Sequence, residues 1–289
     1  MPGQLKTRIY APRVKGDLDL GLAPNRTRGT VKDWARMDFP GGRLPGFSEQ
    51  EIYEESETKK YWLGTRRVVD ERVYHYCKAS ANGCAQPYWG AQDSHKYKSD
   101  DTEDCIEGVT VGDKEIGDLT LVTLDTNAAH VADFFEGGWA VVTVVSTIQM
   151  LRIRSSTAGG TSVTLTLWDP LSMDVAEGSQ LQVFPSIYSS VERVLGGGDT
   201  KGVTVCVPNI IVTASYYFWG QTWGHCYGIP SEAFPRGSYE QDLVFNYDGS
   251  VKLRTDGVNL IHQTAGYRLF NYVDDPTGAL VFYMLKLVP

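Results

Sequence analysis

The carboxylates are the first residues of this sequence that could carry out chemistry. Asp169, Asp174 and Glu177 lie close together in the chain, and a second group lies in the acidic stretch 100–107. Glycoside hydrolysis needs two carboxyl groups about 5–10 Å apart, so either group could serve a hydrolase on a β scaffold. The alternative is a turn at Asp169-Pro170 and a solvated acidic loop. We favour this alternative, and the sequence therefore predicts no catalytic residues.

Histidine and cysteine side chains could bind a metal ion. His75 and Cys77 are two positions apart, so they would point the same way from a strand. Further soft ligands occur at Cys84, His95 and Cys105. A structural zinc site uses closely spaced pairs such as Cys-x-x-Cys, which the sequence lacks. The acidic run 100–104 could attract calcium but lacks the ligand spacing of a helix-loop-helix site. We therefore predict no bound metal and buried free thiols.

A glycine-rich segment could cradle a phosphate group. Residues 195–202 contain three consecutive glycines and Lys201. A phosphate-binding loop requires Gly-Lys-Ser/Thr at the start of a helix, whereas β-forming residues follow here. The nucleophile elbow Gly-x-Ser-x-Gly is also missing. We therefore predict a flexible connection, no cofactor and no nucleophile triad.

Aromatic side chains are most concentrated in residues 210–226, the densest apolar and aromatic run of the sequence. Strand alternation would put Tyr217, Trp219 and Trp223 on one face. Such a face can be part of the core or a subunit contact, where Tyr and Trp are enriched. If exposed, it could instead stack on sugars. We expect a core or subunit contact, with these three residues as candidate interface residues.

We expect these residues to lie on β-strands and in the turns between them, because sequence patterns typical of strands occupy most of the chain. Alternation and tight turns predict hairpins at 60–79 and 243–254, the second around Asp248-Gly249. The other predicted strands are 119–124, 139–145, 150–153, 163–168, 180–184, 203–207, 209–213, 216–223, 271–273 and 280–287, with a turn at Ala214-Ser215. The best internal helix candidate is 128–136. Short, regularly spaced strands predict an all-β fold, with a barrel or sandwich body of antiparallel strands.

The N-terminal residues differ from the remainder in composition. Five prolines within residues 1–47 prevent a long helix and predict an extended arm. Residues 1–36 hold eight basic and three acidic groups, a net charge of +5, whereas the whole chain carries −8. The arm therefore suits an acidic partner surface or a neighbouring subunit; the alternative is a solvated, partly disordered terminus. Its candidate interface residues are Arg8, Arg13, Arg26, Arg28, Trp34 and Met37.

Length and composition predict a folded β protein in three parts. The 289 residues are 42% hydrophobic and 21% charged, which are ordinary values. We expect the arm at 1–47, a small hairpin region with an acidic loop at 48–118, and the main body at 119–289. A net charge of −8 disfavours nucleic acid and anionic lipid. We expect no signal peptide and no membrane helix, and the odd cysteine number suits a reducing cytoplasm.

Four segments, in order along the chain, carry a family resemblance. They are Tyr61 to Arg66 with Asp70 to Tyr76; Ala132 to Trp139 with Leu151 to Ile153 and Val163 to Leu171; Val207 to Gly224; and Leu285 to Pro289. Through them, residues 53–289 resemble virion structural proteins of tailed phages, of the capsid-decoration or minor-capsid kind. The sequence departs from the family pattern at Gly220, where a valine is expected. It departs again at His225, where a small residue or proline is expected.

The resemblance implies a non-enzymatic shell component. It implies binding to the major capsid protein and stabilisation of the capsid as a homo-oligomer, with a trimer favoured. The expected location is the capsid surface of the virion, after assembly in the host cytoplasm, with no membrane or direct nucleic-acid partner. The alternative is a receptor- or glycan-binding head-fibre module that uses an exposed aromatic face.

Overall fold

A computed structural model describes residues 49–84, 86–97, 104–125, 130–193, 202–234, 241–254, 262–269 and 280–288. The predicted arm, the predicted strand 271–273 and nearly all of the glycine-rich segment lie outside the described residues. The described residues form sixteen strands and no helix, which confirms the all-β prediction.

The strands are short, as the spacing of turns predicts. In chain order they are β1 (Arg66–Val69), β2 (Arg72–Lys78), β3 (Ala91–Asp93), β4 (Ile106–Val109), β5 (Thr120–Leu124), β6 (Trp139–Val144), β7 (Thr147–Ser156), β8 (Ser162–Leu167), β9 (Gln180–Phe184), β10 (Val191–Glu192), β11 (Thr204–Pro208), β12 (Tyr217–Gly228), β13 (Asp242–Phe245), β14 (Val251–Leu253), β15 (Thr264–Arg268) and β16 (Val281–Lys286). They divide into two antiparallel sheets.

Six strands form a nearly closed barrel. Their order is β4-β9-β6-β7-β8-β5, and a bridge between Thr110 and Thr123 joins the two edges. Inward and outward side chains alternate as strand geometry requires: Ala140 and Val142 of β6 are fully buried, whereas Trp139 is exposed. The interior is a single apolar cluster that includes Leu121, Phe135, Ile153, Leu165 and Leu181. Closure leaves little unpaired strand edge.

The other ten strands form a curled sheet, which we call the half-barrel. Its main path is β10-β3-β11-β12-β16-β15-β13-β14, with β1 and β2 attached beside β12. Strand β12 is its centre, because it pairs with β2 and β11 near its start and with β16 near its end. A bridge between Pro230 and Val251 brings β14 back towards the end of β12.

The barrel is an insertion into the half-barrel. Strands β3 and β10 are direct neighbours, and all six barrel strands lie between them in the chain. The two sheets therefore do not follow the predicted ranges 48–118 and 119–289. The first range contributes β4 to the barrel, and the second contributes β10 to β16 to the sheet that holds β1 to β3.

Most predicted strands agree with the structure to within a few residues. The hairpins β1–β2 and β13–β14 and the turn at Ala214-Ser215 are confirmed. The predicted strand 209–213 is wrong: β11 ends at Pro208, which has no amide proton to donate, and only Val212 makes a bridge beyond it. The predicted helix is also wrong over its described part, residues 130–136, where the structure has irregular backbone and turns over 132–137. Positive φ angles at Asp133 and Gly137 are incompatible with a helix there.

Candidate functional site

Trp219 of β12 is a core residue. It is fully buried, and its ring lies 4.9 Å from Tyr61 and 5.0 Å from Tyr76. Its indole N–H donates to the carbonyl oxygen of Gln50 at 3.1 Å. Tyr217 is half-buried and stacks on Tyr76 at 5.9 Å. The structure thus brings Tyr217 and Trp219 together under residues 50–61, and for Trp219 the core is the interpretation that the structure supports.

Gly220 lies where two buried thiols meet. It pairs with His75 of β2 on one side and with Pro208 of β11 on the other. The sulfur atoms of Cys77 and Cys206 approach to 3.9 Å across it. A Cβ at this position would lie 2.6 Å from the Cβ of Cys206 and would overlap its sulfur. This crowding explains why glycine stands where the family pattern led us to expect valine.

Trp223 lies apart from Tyr217 and Trp219. The register against β2 shifts between Gln221 and Trp223, and beyond the shift the strand pairs with β16, where Trp223 faces Lys286. Residue 223 is half-buried. The alternation of residue types along β12 could not predict this shift. A bulge is defined by how the strand pairs with its partner, which the sequence of one strand does not show.

Beyond Trp223, four rings form a continuous aromatic row on the outside of the half-barrel. Tyr88 contacts Tyr227 at 6.2 Å, Tyr227 contacts Phe282 at 5.1 Å, and Phe282 stacks on His225 at 5.6 Å. Tyr227 is 47% exposed, and Tyr88 and Phe282 are half-buried. A partly exposed row of rings offers flat apolar faces with polar tips, which suits partners that are themselves partly polar.

Tyr88 holds its place in the aromatic row in a strained conformation. Its φ is +68°, a left-handed value that bulky residues rarely adopt. Its amide donates to the carbonyl oxygen of Pro208 at 2.8 Å, and its own carbonyl oxygen accepts the amide of Ile229 at 3.2 Å. Such strain persists only where the surroundings impose it, and it is common at functional sites.

A cleft of about 440 Å³ lies where the half-barrel meets the loop that precedes β6. Lys59 from the half-barrel side pairs with Glu136 of that loop at 2.5 Å, and burial raises the pKa of this carboxyl group. Lys78 also lines the cleft, and its ammonium lies 5.7 Å from the ring of Tyr217. The volume of the cleft falls within the range of small-molecule pockets.

His95 and Ser189 line one wall of the cleft, and Asp93 contacts His95 from behind that wall. Nδ1 of His95 lies 2.5 Å from a carboxylate oxygen of Asp93, and Nε2 of His95 lies 3.2 Å from Oγ of Ser189. The other Asp93 oxygen accepts the hydroxyl of Tyr97 at 2.5 Å. The Asp93 and His95 side chains are each 4% exposed. Sequence reasoning predicted no such triad, because Ser189 is 94 positions from His95 and no motif surrounds it.

The candidate soft metal ligands, all of which are described, do not assemble into a site, and residues 100–103 of the acidic run lie outside the described residues. All five cysteines are free and buried. Burial raises the pKa of Cys84 and of Cys226 to about 12 each, so these thiols are protonated at neutral pH and poor as nucleophiles or ligands. Burial lowers the pKa of His75 to about 4, and its Nδ1 lies 3.0 Å from Oγ1 of Thr222. Within the ranges that the structure covers, no group of three ligating side chains could hold a metal ion.

Of the carboxylates weighed for glycoside hydrolysis, Asp174 and Glu177 lie in a loop at one end of the barrel, whereas residues 100–103 of the acidic stretch lie outside the described residues. Asp174 accepts the amide of Ile116 at 2.7 Å, and Asp113 accepts the amide of Glu177 at 2.8 Å. These bonds hold two loops together, as turn-forming carboxylates do. Ile116 is 65% exposed beside them. We call this acidic and partly apolar surface the barrel end.

An apolar surface covers the outside of the hairpin β6–β7. Val141 faces Met150 and Thr143 faces Ile148 across the two strands. Met150 is 65% exposed, Ile148 63% and Trp139 42%. Val145 in the connecting turn is 98% exposed. We call this surface the hairpin face; exposed patches of this kind usually mark contact sites.

The predicted arm residues Arg8, Arg13, Arg26, Arg28, Trp34 and Met37 lie outside the described residues. No helix in the described part is long and apolar enough to cross a membrane. Comparisons with protein-family models, with curated proteins and with solved structures found no match.

Proposed function

We propose that this chain is a structural protein of a tailed-phage virion that binds the capsid and stabilises it as a decoration or minor capsid protein. The observation that carries this proposal is the hairpin face, where large apolar side chains point outward from a well-packed barrel. Their exposure has a cost in water that a contact would remove, at roughly 25 cal/mol per Å². The resemblance to virion structural proteins supports the same function.

The hairpin face is proposed to contact a second copy of the chain. In a cyclic trimer each contact joins two different patches, so the exposed row of Val141, Ile148 and Met150 on one copy would pack against another surface of the next copy. Closed assemblies repeat each contact, so a modest gain per subunit stabilises the shell. A trimer is the favoured oligomer.

The basic arm is proposed to dock on the barrel end of a neighbouring subunit or on the major capsid protein. Residues 1–36 carry a net charge of +5 and hold Trp34. The barrel end offers Asp113, Asp174 and Glu177 around the exposed Ile116. Opposite charges guide such docking, and the apolar contact gives it strength.

Deletion of residues 1–36 tests this proposal. The truncated chain should lose most capsid attachment in a cosedimentation assay while its melting temperature stays unchanged, because the deletion removes none of strands β1 to β16. A matched control replaces the same segment with a neutral Gly/Ser sequence of equal length. If either altered chain still decorated capsids fully at physiological salt, the docking role of the arm would be wrong.

The aromatic row favours a second candidate function, a receptor- or glycan-binding head-fibre module. Sugars stack on exposed rings, and Tyr227, Phe282 and His225 are adjacent and accessible along one surface. A glycan array tests it. Specific binding that is lost on Trp223→Ala and Tyr227→Ala, but kept on Trp139→Ala in the hairpin face of the other sheet, would favour this function over capsid attachment.

A further inference from the structure

The pairing of β3 with β10 brings distant residues together at one wall of the cleft. Val191 of β10 faces Asp93 of β3, and the amide of Ser94 donates to the carbonyl oxygen of Ser190 at 2.9 Å. Ser189, just before β10, thereby lies beside His95, just after β3. These two half-barrel strands flank the barrel insertion in the chain and pair with each other, so the fold fixes their relative position.

We propose that Ser189 and His95 are the catalytic residues, and Asp93 the positioning residue, of a site that hydrolyses small carboxylic esters. This activity would be separate from capsid binding and does not rest on it. Asp93 contacts Nδ1 of His95 at 2.5 Å, which favours the tautomer with the proton on Nδ1. The lone pair of Nε2 then faces Oγ of Ser189, 3.2 Å away. This is the order of contacts in serine hydrolases.

The histidine is held in this orientation by its surroundings. Its backbone amide also donates to Asp93, at 3.1 Å. The ring of Phe134 meets the imidazole edge-on at 5.8 Å. The hydroxyl of Tyr97 donates to the second oxygen of Asp93, so that carboxylate is anchored at both oxygens. Ring and carboxylate are almost wholly buried, which makes the pair a preorganised base rather than a solvated one.

Ser189 is the member of the group that substrate can reach. It is half-exposed and lines the cleft of about 440 Å³ together with His95 and Lys78. Its hydroxyl donates to the carbonyl oxygen of Ser186 at 2.7 Å, and Nε2 of His95, 3.2 Å away, is the second acceptor that its proton can reach. Lys78 lies on the same cleft with its ammonium 5.7 Å from the ring of Tyr217, which gives the cleft a positive charge near that ring.

The reaction needs an ester and water only. Oγ of Ser189 bonds to the carbonyl carbon, its proton passes to Nε2 of His95, and the carbonyl π electrons move to oxygen. When they return, the C–O bond to the alcohol breaks, and His95 gives its proton to the departing oxygen. Water then attacks the acyl group in the same way, releasing the carboxylic acid and restoring Ser189.

Fluorophosphonate labelling and hydrolysis of 4-nitrophenyl acetate test the proposal on the full chain. Peptide mapping should find the label on Ser189. Ser189→Ala and His95→Gln should each lower hydrolysis at least about 100-fold. Asp93→Asn should lower kcat with little change in KM, because it disturbs the tautomer and not ester binding. The matched control is Ser190→Ala, an adjacent serine whose hydroxyl contacts Ser94 at 2.6 Å; it should keep the activity.

Three results would overturn the proposal. The first is an unlabelled Ser189 in the unaltered chain, which decides the matter even if a variant fails to fold. The second is hydrolysis that persists in Ser189→Ala. The third is an equal loss in Ser190→Ala, which would point to a general disturbance of the cleft wall.

Discussion

Gly220→Ala should destabilise the protein, although glycine in a strand is normally a weak point. At a position with an ordinary φ, replacing glycine by alanine stabilises the folded protein by about 0.4–1 kcal/mol, because it lowers the conformational entropy of the unfolded chain. At Gly220 the new Cβ would lie 2.6 Å from the Cβ of Cys206 and 3.2 Å from the sulfur of Cys77. Carbon atoms prefer about 3.5–4.0 Å, and the Cβ of Cys206 moves only with its backbone. We therefore expect a net loss of about 1–3 kcal/mol, as for other overpacked cores.

Urea unfolding followed by tryptophan fluorescence measures this loss. Gly108→Ala is the matched control in strand β4, because the added Cβ would meet no backbone atom closer than the Leu124 carbonyl oxygen at 4.0 Å and would approach only side-chain atoms of Thr123 at 3.2 Å and Ile106 at 3.8 Å. Its change should stay within about 0.5 kcal/mol. Adding Cys206→Gly to Gly220→Ala removes the crowding, so the double variant should be more stable than the sum of the two single losses predicts. If Gly220→Ala were neutral or stabilising, the proposed packing around β12 would be incorrect.

Three further outcomes follow from the burial and exposure of particular side chains. The pKa of His75 is about 4 in the folded chain against 6.5 in the unfolded chain, so the unfolded chain binds the proton more readily. The free energy of unfolding should therefore be independent of this group above pH 6.5 and fall by up to about 3 kcal/mol as the pH drops from 6.5 to below 4. In His75→Gln the urea midpoint should vary less over that pH range. Ellman's reagent should label almost no thiol in the native protein at pH 8 and five per chain in urea, whereas rapid native labelling would contradict the buried positions. Met150→Asp should shift the protein to a smaller species in light scattering without lowering its melting temperature, and an unchanged mass would exclude the hairpin face as the subunit contact.

The sequence predicted the local strand pattern well, because that pattern depends on neighbours in the chain. The predicted strand 180–184 matches β9, and the Asp248-Gly249 turn has Gly249 at φ +83° as a tight hairpin requires. Strands β3, β4, β10 and β15 were missed. They are short or contain glycine or charged residues, and their ladders are supplied by partners distant in sequence.

The cleft and its triad could not be predicted for a related reason. The pairing of β3 with β10 spans the whole barrel insertion, and neither alternation nor turn residues specify a partner at that distance. The sequence also could not predict which residues of one strand are buried. Trp219 and Trp223 are both tryptophans of β12, yet residues 50–61 cover only the first, because the cover is a tertiary contact.

The central claim is that this chain is a component of the virion, and its abundance in purified particles tests that claim most directly. Quantitative mass spectrometry of virions from an infection in which the chain is produced should find it at a fixed ratio to the major capsid protein that fits capsid symmetry. Absence from particles, or a trace amount that varies between preparations, would contradict the account.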